Sequence, residues 1–402
     1  MKKYIFFLLI LLLSIYGCSG SKRSDSVSSI MLNGSEVTVS FLNKLKSDTA
    51  TIPLSSLIEG CELIQLEYTE DAIFKPDNTT ITNNYIGVIQ EMGAYKLFNR
   101  SGKFLGSIGS FGQGPGEYFI LNYDIIDENN ELIYLAPLIG NKIYVFNTSG
   151  RFLKNFELPQ TILHPVLLLS NDILTVVYTS SIAEDKTMIT QININTGQIF
   201  NEFSTQIKQT SQRVGFHSCL NIPDVFDIVH AAYDTIYHFD ISNYALRQVF
   251  ATSDDFSEDI TKRHRQLNKD LVLTSVRPRG FVLTDIKNKR SSWVKMKNDF
   301  FGSLNVQNPL STFYNGYYVY NIQPEQLIEE IKQRLTESGC TEKDRQILQK
   351  TLSNLKEDTN NVVFIGKLKN FAPASGRWKK NASRGGSPDG NTTDVVRLSL
   401  VG

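Results

Sequence analysis

Apolar and polar positions alternate with a period of two along most of the chain, and short polar turns break the alternation at regular intervals. The clearest case runs from Tyr95 to Ile108: alternation, then Asn99-Arg100-Ser101-Gly102, then alternation again. Strict alternation marks half-buried strands, and two such runs joined by a Gly-containing turn form a β-hairpin. Ile143 to Leu153 is nearly a copy, and weaker copies occupy Ile192 to Phe200, Tyr237 to Asn243 and Val282 to Asn288. The turn residues Gly102, Gly150, Gly197, Asn243 and Asn288 are separated by 48, 47, 46 and 45 residues. Gly and Asn are the residues that tolerate positive φ, so one turn geometry recurs at one spacing. A period of about 40–50 residues with several strands per unit predicts an all-β protein, a β-propeller.

The blade count comes from the ends. In the second unit the strands are Tyr123–Asp127, Glu131–Ala136, Lys142–Asn147 and Phe152–Leu158. The last unit has a third strand, Asn361–Lys369, but no fourth, and the alternating stretch Cys61–Tyr68 near the N-terminus can supply it. This predicts a six-bladed β-propeller closed by an N-terminal strand, which removes the last exposed sheet edge. An open stack of hairpins, or an eight-stranded barrel followed by a second domain, would not produce so uniform a spacing.

One segment breaks the rhythm. Pro324 to Lys356 reads as a helical hairpin inserted between the second and third strands of blade six. Pro324 suits a first helical turn, Leu327, Ile328, Ile331 and Leu335 form a stripe, and Gly339 is placed to end it. Thr341 and Asp344 then form a capping box before Ile347, Leu348, Leu352 and Leu355. Replacing a two-to-three turn puts the insertion on the face that carries the between-blade crossovers, with Gln113, Glu117, His164 and His217. There its stripe is expected to pack over the channel mouth; the alternative is a hairpin folded outward onto blade six.

Composition adds an address. Lys2 and Lys3 precede nine unbroken apolar residues, Ile5 to Leu13, too short for a bilayer of about 30 Å but suited to a signal-peptide core. Ile15-Tyr16-Gly17-Cys18 resembles a lipobox, which makes Cys18 the expected lipidation site; an ordinary leader with a chance cysteine is the alternative. The expected organisation is a leader over 1–17, a tether and N-terminal segment over 18–50, the propeller over 51–371 with the insertion at 324–356, and a poorly ordered tail over 372–402. Without Lys2 and Lys3, 39 basic residues face 41 acidic ones. Nothing there favours nucleic acid. Cys61, Cys219 and Cys340 share no metal-type spacing and imply no disulfide framework.

No catalytic motif of high specificity is present. Gly112-Gln113-Gly114-Pro115-Gly116 is glycine-rich but joins strand to strand, whereas a phosphate loop opens a helix. The channel-mouth candidates for ligand binding are Gln113, Glu117, Tyr118, His164, His217, His264, Arg277 and Arg279. His164, His217 and His264 fall near between-blade connections, and Arg277-Pro278-Arg279 could offer guanidinium groups to a carboxylate or sulfate. Against this stands the plain reading of crossover loops, hydrogen-bonded histidines and a solvated turn; His238, between Tyr237 and Phe239, is read as a packing or outer-face residue.

The junction Gly109–Tyr118 resembles the Gly-x-Gly-Pro-Gly-Glu-Phe-type loop of NHL-like (TolB-like) six-bladed propellers. With the lipobox-like leader and the entry segment Ser56–Glu67, the chain resembles six-bladed β-propeller lipoproteins of gut-type Gram-negative bacteria. The resemblance implies a fold and a lipid-anchored place in the cell envelope, periplasmic or at the surface, and little chemistry. The functional expectation is a non-enzymatic module that binds a small molecule, glycan or peptide, or scaffolds an envelope protein, with no cofactor. Two alternatives stand beside it. One is a hydrolase or lyase with Ca²⁺ or Zn²⁺ in the channel, as related six-bladed lactonases and lyases imply. The other is a structural subunit of an envelope complex.

Overall fold

The computed structural model describes residues 26–371, apart from positions 33, 91, 180–186, 206–215, 223–224, 231–234, 241–244, 257–259 and 356–359. The leader, Cys18, the tail and Asn243 lie outside the described residues.

The described strands form five sheets of four to seven strands and one two-stranded ribbon, in a propeller-like arrangement. Sheet I is the meander Pro76–Ile81, Tyr85–Gln90, Tyr95–Asn99 and Phe104–Ile108. Sheet II has seven strands from Leu121 to Thr205, and its fourth, Phe152–Ser170, is 19 residues long. Sheet III holds four strands between Phe216 and Ser253, sheet IV five between Thr261 and Asn305. Sheet V joins Phe313–Tyr314, Tyr317–Ile322 and Val362–Lys367 to Glu62–Gln65. Six separate blades are therefore not what the hydrogen bonding delimits. The strand expected to stop at Leu158 continues to Ser170 and pairs on both sides, first with Ile139–Asn147 and then with Ile173–Thr179. A register shift between Leu163 and Val166, with His164 at φ 49°, marks the join.

The expected outer strand is shorter than its alternation, and antiparallel to Val362–Lys367, with Glu62 opposite Ile365 and Gln65 opposite Val362. The residues before it are also built in. Val27–Leu32 and Ser35–Phe41 form a hairpin that extends sheet III, parallel to Ala245–Ser253. Thr49–Pro53 runs parallel to Arg290–Asn298 in sheet IV. The N-terminal segment thus straps sheets III, IV and V in turn and covers strand edges that would otherwise be open.

The repeated turn has a side-chain cause. Asn99 Oδ1 accepts hydrogen bonds from the backbone N–H of Ser101 and Lys103, and Asn147 Oδ1 from that of Arg151. Asn193 serves Asn195 and Thr196, and Asp285 serves Asn288. An Asn or Asp opening the turn holds the backbone, and Gly102, Gly150 and Gly197 supply positive φ. In the fifth copy that conformation falls on Lys289 (φ 50°), one residue beyond Asn288.

The insertion is two helices, α1 (Pro324–Thr336) and α2 (Glu342–Asn354), the second opened by the Thr341–Asp344 capping box. The chain leaves α1 at Glu337, before Gly339. Buried Arg334 explains the early exit: its guanidinium bonds the carbonyls of Gly302 and Gly339 and pairs with Asp344 at 3.1 Å and Glu337 at 2.8 Å. Leu327 and Ile331 are fully buried in a core shared with Leu348 of α2 and with Leu304, Ile322 and Phe364 from sheets IV and V. The apolar stripe is used on the body of the protein, and neither helix contributes to the central cavity described next.

Candidate functional site

Where the inner strands converge, a cavity of about 260 Å³ opens at the end that carries the turns between first and second strands. Sheet I contributes Ile81, Thr82 and Asn83, sheet II Tyr123–Asn129 and Leu167–Leu169, and sheet V Tyr314, Asn315 and Tyr317; Leu220, Ile222 and Phe371 complete the wall. The rings of Tyr123 and Tyr314 meet edge to face, centroids 5.9 Å apart, and burial pushes both hydroxyls far above the usual tyrosine range. Leu220 is held with φ 49° because the buried Asp227 carboxylate accepts hydrogen bonds from the N–H of Cys219 and Leu220 and from the Ser218 hydroxyl.

Three carboxylates border the cavity, and each already has partners. Asp124 is buried and accepts from the Tyr95 hydroxyl at 2.7 Å and the Thr80 hydroxyl at 2.8 Å. Burial raises its pKa to about 6, the two donors holding it back from a larger rise. Glu128 accepts from the Thr82 hydroxyl and the N–H of Asn84, tying sheet II to the first turn of sheet I. Asp127 caps its own turn through Asn130. The walls present aromatic and aliphatic surface interleaved with Thr82, Asn83, Asn129 and Asn315, while the charges hold the frame. Among the described residues no group of three His, Cys, Asp or Glu side chains is gathered as for a metal ion.

None of the eight residues singled out from the sequence lines this cavity. Gln113, Glu117 and Tyr118 share the crossover from sheet I to sheet II. Glu117 folds that loop on itself, its carboxylate accepting from the N–H of Gly114 at 2.7 Å, and a Cβ at Gly112 would meet it at 2.1 Å. Tyr118 is buried; its hydroxyl accepts from the N–H of Tyr95 and donates to the carbonyl of Ile108. Gln113 is exposed at the loop tip. His164 lies half-buried at the sheet II join, its backbone N–H bonded to Leu138, and burial lowers its pKa. His264 is buried beside Thr274, with its ring 5.4 Å from Phe250. Exposed Arg277 and Arg279 flank the turn between the second and third strands of sheet IV, and Arg279 lies 3.8 Å over the Phe256 ring. The backbone of His217 pairs with Val229, and its side chain lies outside the described residues. His238 reaches inward to Gln266 at 2.6 Å and does not face outward. The sequence reading missed Tyr123, Tyr314 and Tyr317; their one signal was a place on or beside an innermost strand.

The profile of the family described as "Domain of unknown function (DUF4934)" matches residues 36–367. The chain belongs to this family. The match begins inside the N-terminal strap and ends with the third strand of sheet V, so the family spans every sheet described above. Among solved structures, a protein of Bacteroides fragilis described as exported is 16% identical. It is covered in full by 83% of this chain, with a TM-score of 0.57, which supports the shared fold. A member of the DUF4221 family from Bacteroides vulgatus is 10% identical, with 78% of this chain covering 98% of that one, but its TM-score of 0.43 is too low to build on. None of the curated proteins matches the sequence. Among the described residues no helix is long and apolar enough to cross a membrane.

Proposed function

We propose that the protein is an exported, Cys18-anchored lipoprotein of the cell envelope whose propeller binds a ligand at the central cavity and does not transform it. The supporting observation is the cavity itself: tyrosine and leucine side chains interleaved with Thr82, Asn83, Asn129 and Asn315 at the convergence of the inner strands, with bordering carboxylates already hydrogen-bonded within the frame. Small-molecule sites are commonly concave, with apolar and aromatic surface interrupted by polar groups that fix the ligand's orientation. The ring is read as six four-stranded units. Sheet II supplies two of them through the shared strand Phe152–Ser170, and Glu62–Gln65 serves as the last outer strand.

The test is a thermal-shift screen of the purified chain against small aromatic compounds, peptides and oligosaccharides, followed by chromatography of each hit after long incubation. The expected result is a hit that raises the melting temperature, loses its effect with Tyr123→Ala, and is recovered unchanged. A hit that is converted to product would favour the hydrolase or lyase. Labelling of the full-length chain with palmitate, lost in Cys18→Ala, checks the anchor.

A further inference from the structure

A second cavity, of about 330 Å³, lies in the seam between sheets I and V at the opposite end, where the crossovers run. Its volume is within the range of small-ligand sites, about 300–1,000 Å³. Its polar wall is made of Asn78, Gln307, Asn308, Ser311, Asn321 and Gln326, and no Asp, Glu, Lys, Arg or His is among its lining residues. Tyr314, Tyr320 and Val319 provide its apolar surface. Such a wall suits one kind of ligand chemistry. A carboxamide carries two donors and an acceptor that takes two bonds, so it can both give to and receive from a hydroxyl. A ligand bearing many hydroxyls and no charge can meet every one of these groups, whereas an ion would lose hydration with no opposite charge to receive it.

The frame fixes several of these groups. Asn321 donates to Thr79 at 3.0 Å and accepts from Asn361 at 2.7 Å, which locks its amide. Glu330, outside the cavity, accepts from the Tyr320 hydroxyl at 3.1 Å and from Gln326 at 3.5 Å. Asn308 sits at φ 37° on a tight turn closed by the Ser311 N–H and hydroxyl on its carbonyl, so its side chain is carried by a fixed backbone. Gln307 and Asn308 are both exposed.

We infer that this seam is a binding site for a neutral polyhydroxylated ligand, a saccharide unit, held by the amides of Gln307, Asn308 and Gln326 with Tyr320 beside it. The inference does not depend on what occupies the central cavity.

The probes are glucose, galactose, mannose, xylose, maltose and cellobiose, titrated calorimetrically into the purified chain, with glucuronic acid and glucosamine as charged counterparts. Saturable binding of at least one neutral sugar is expected, at least tenfold tighter than of either charged counterpart. The double variant Gln307→Ala/Asn308→Gly, in which glycine keeps the positive φ of position 308, should weaken it at least tenfold without lowering the melting temperature, and Tyr123→Ala in the central cavity should leave it unchanged. No saturable binding of any neutral sugar would overturn the inference. So would binding that survives the double variant, or that is lost only with Tyr123→Ala; that last result would place the sugar in the central cavity.

Discussion

The two cavities lie at opposite ends of the same convergence of strands and share Tyr314, yet they use polar residues in opposite ways. At the central opening three carboxylates stand beside Thr82, Asn83, Asn129 and Asn315; Asp124 and Glu128 accept hydrogen bonds from neighbouring strands and turns, and Asp127 from Asn130 of its own turn. In the seam the polar groups are neutral amides and hydroxyls on strands, a crossover and a helix, and Gln307 and Asn308 on the crossover are exposed. A buried carboxylate without partners would be costly, so one that persists is tied into the fold. The charged residues bordering a cavity are therefore a poor guide to its ligand, and the neutral ones a better guide.

The largest effect expected from this contrast is on stability. Asp124→Ala leaves the hydroxyls of Tyr95 and Thr80 buried without their acceptor, and should lower unfolding free energy by about 2–4 kcal/mol in denaturant melts. The same carboxyl gives a pH signature. Its folded pKa is raised to about 6 from 3.8, so the folded state holds the proton more tightly. The stability it contributes is fully present below about pH 4 and is lost as pH rises through 6, by up to about 3 kcal/mol. Wild type should therefore lose stability relative to Asp124→Asn between pH 4 and pH 7, and parallel pH profiles would show that this carboxyl is not the responding group.

Arg334→Met tests how the seam wall is held, because α1 carries Gln326. It leaves Asp344 without its cation and the carbonyls of Gly302 and Gly339 without their donor, and should cost about 2–3 kcal/mol, with protease cleavage appearing first between α1 and α2. At the small end, Gln307→Ala and Asn308→Gly should each change stability by less than about 0.5 kcal/mol, the first as exposed side chains do and the second because glycine keeps the positive φ of position 308.

The contrast also explains which parts could be read from the sequence. The hairpins were readable because Asn99, Asn147 and Asn193 open turns whose glycines need positive φ, a local cause that leaves a local mark. The α2 cap was readable for the same reason. The fusion within sheet II was not, because Pro165 falls where a turn is expected, and only pairing on both sides shows that the strand runs through. Nor were the strap's pairings, since Thr49–Pro53 finds its partner about 240 residues away. Of the candidate site, the residues chosen for their chemistry, Glu117 and His264 among them, proved to be engaged in loop folding and packing. The residues that line cavities, Tyr123, Tyr314 and Asn308, carry no motif, and only the convergence of separate units brings them together.

The division between the two ends is tested most directly by one substitution scan read in two ways. Asp124, Asp127, Glu128, Gln307 and Gln326 would each be replaced by alanine and Asn308 by glycine, which keeps its positive φ, and every variant measured for melting temperature and for affinity toward the tightest neutral sugar. The account predicts two separate sets. The carboxylate variants, Asp124→Ala foremost, melt earlier and keep their affinity while folded; the amide variants melt with wild type and bind more weakly. A carboxylate variant that melts like wild type but loses the sugar would contradict it.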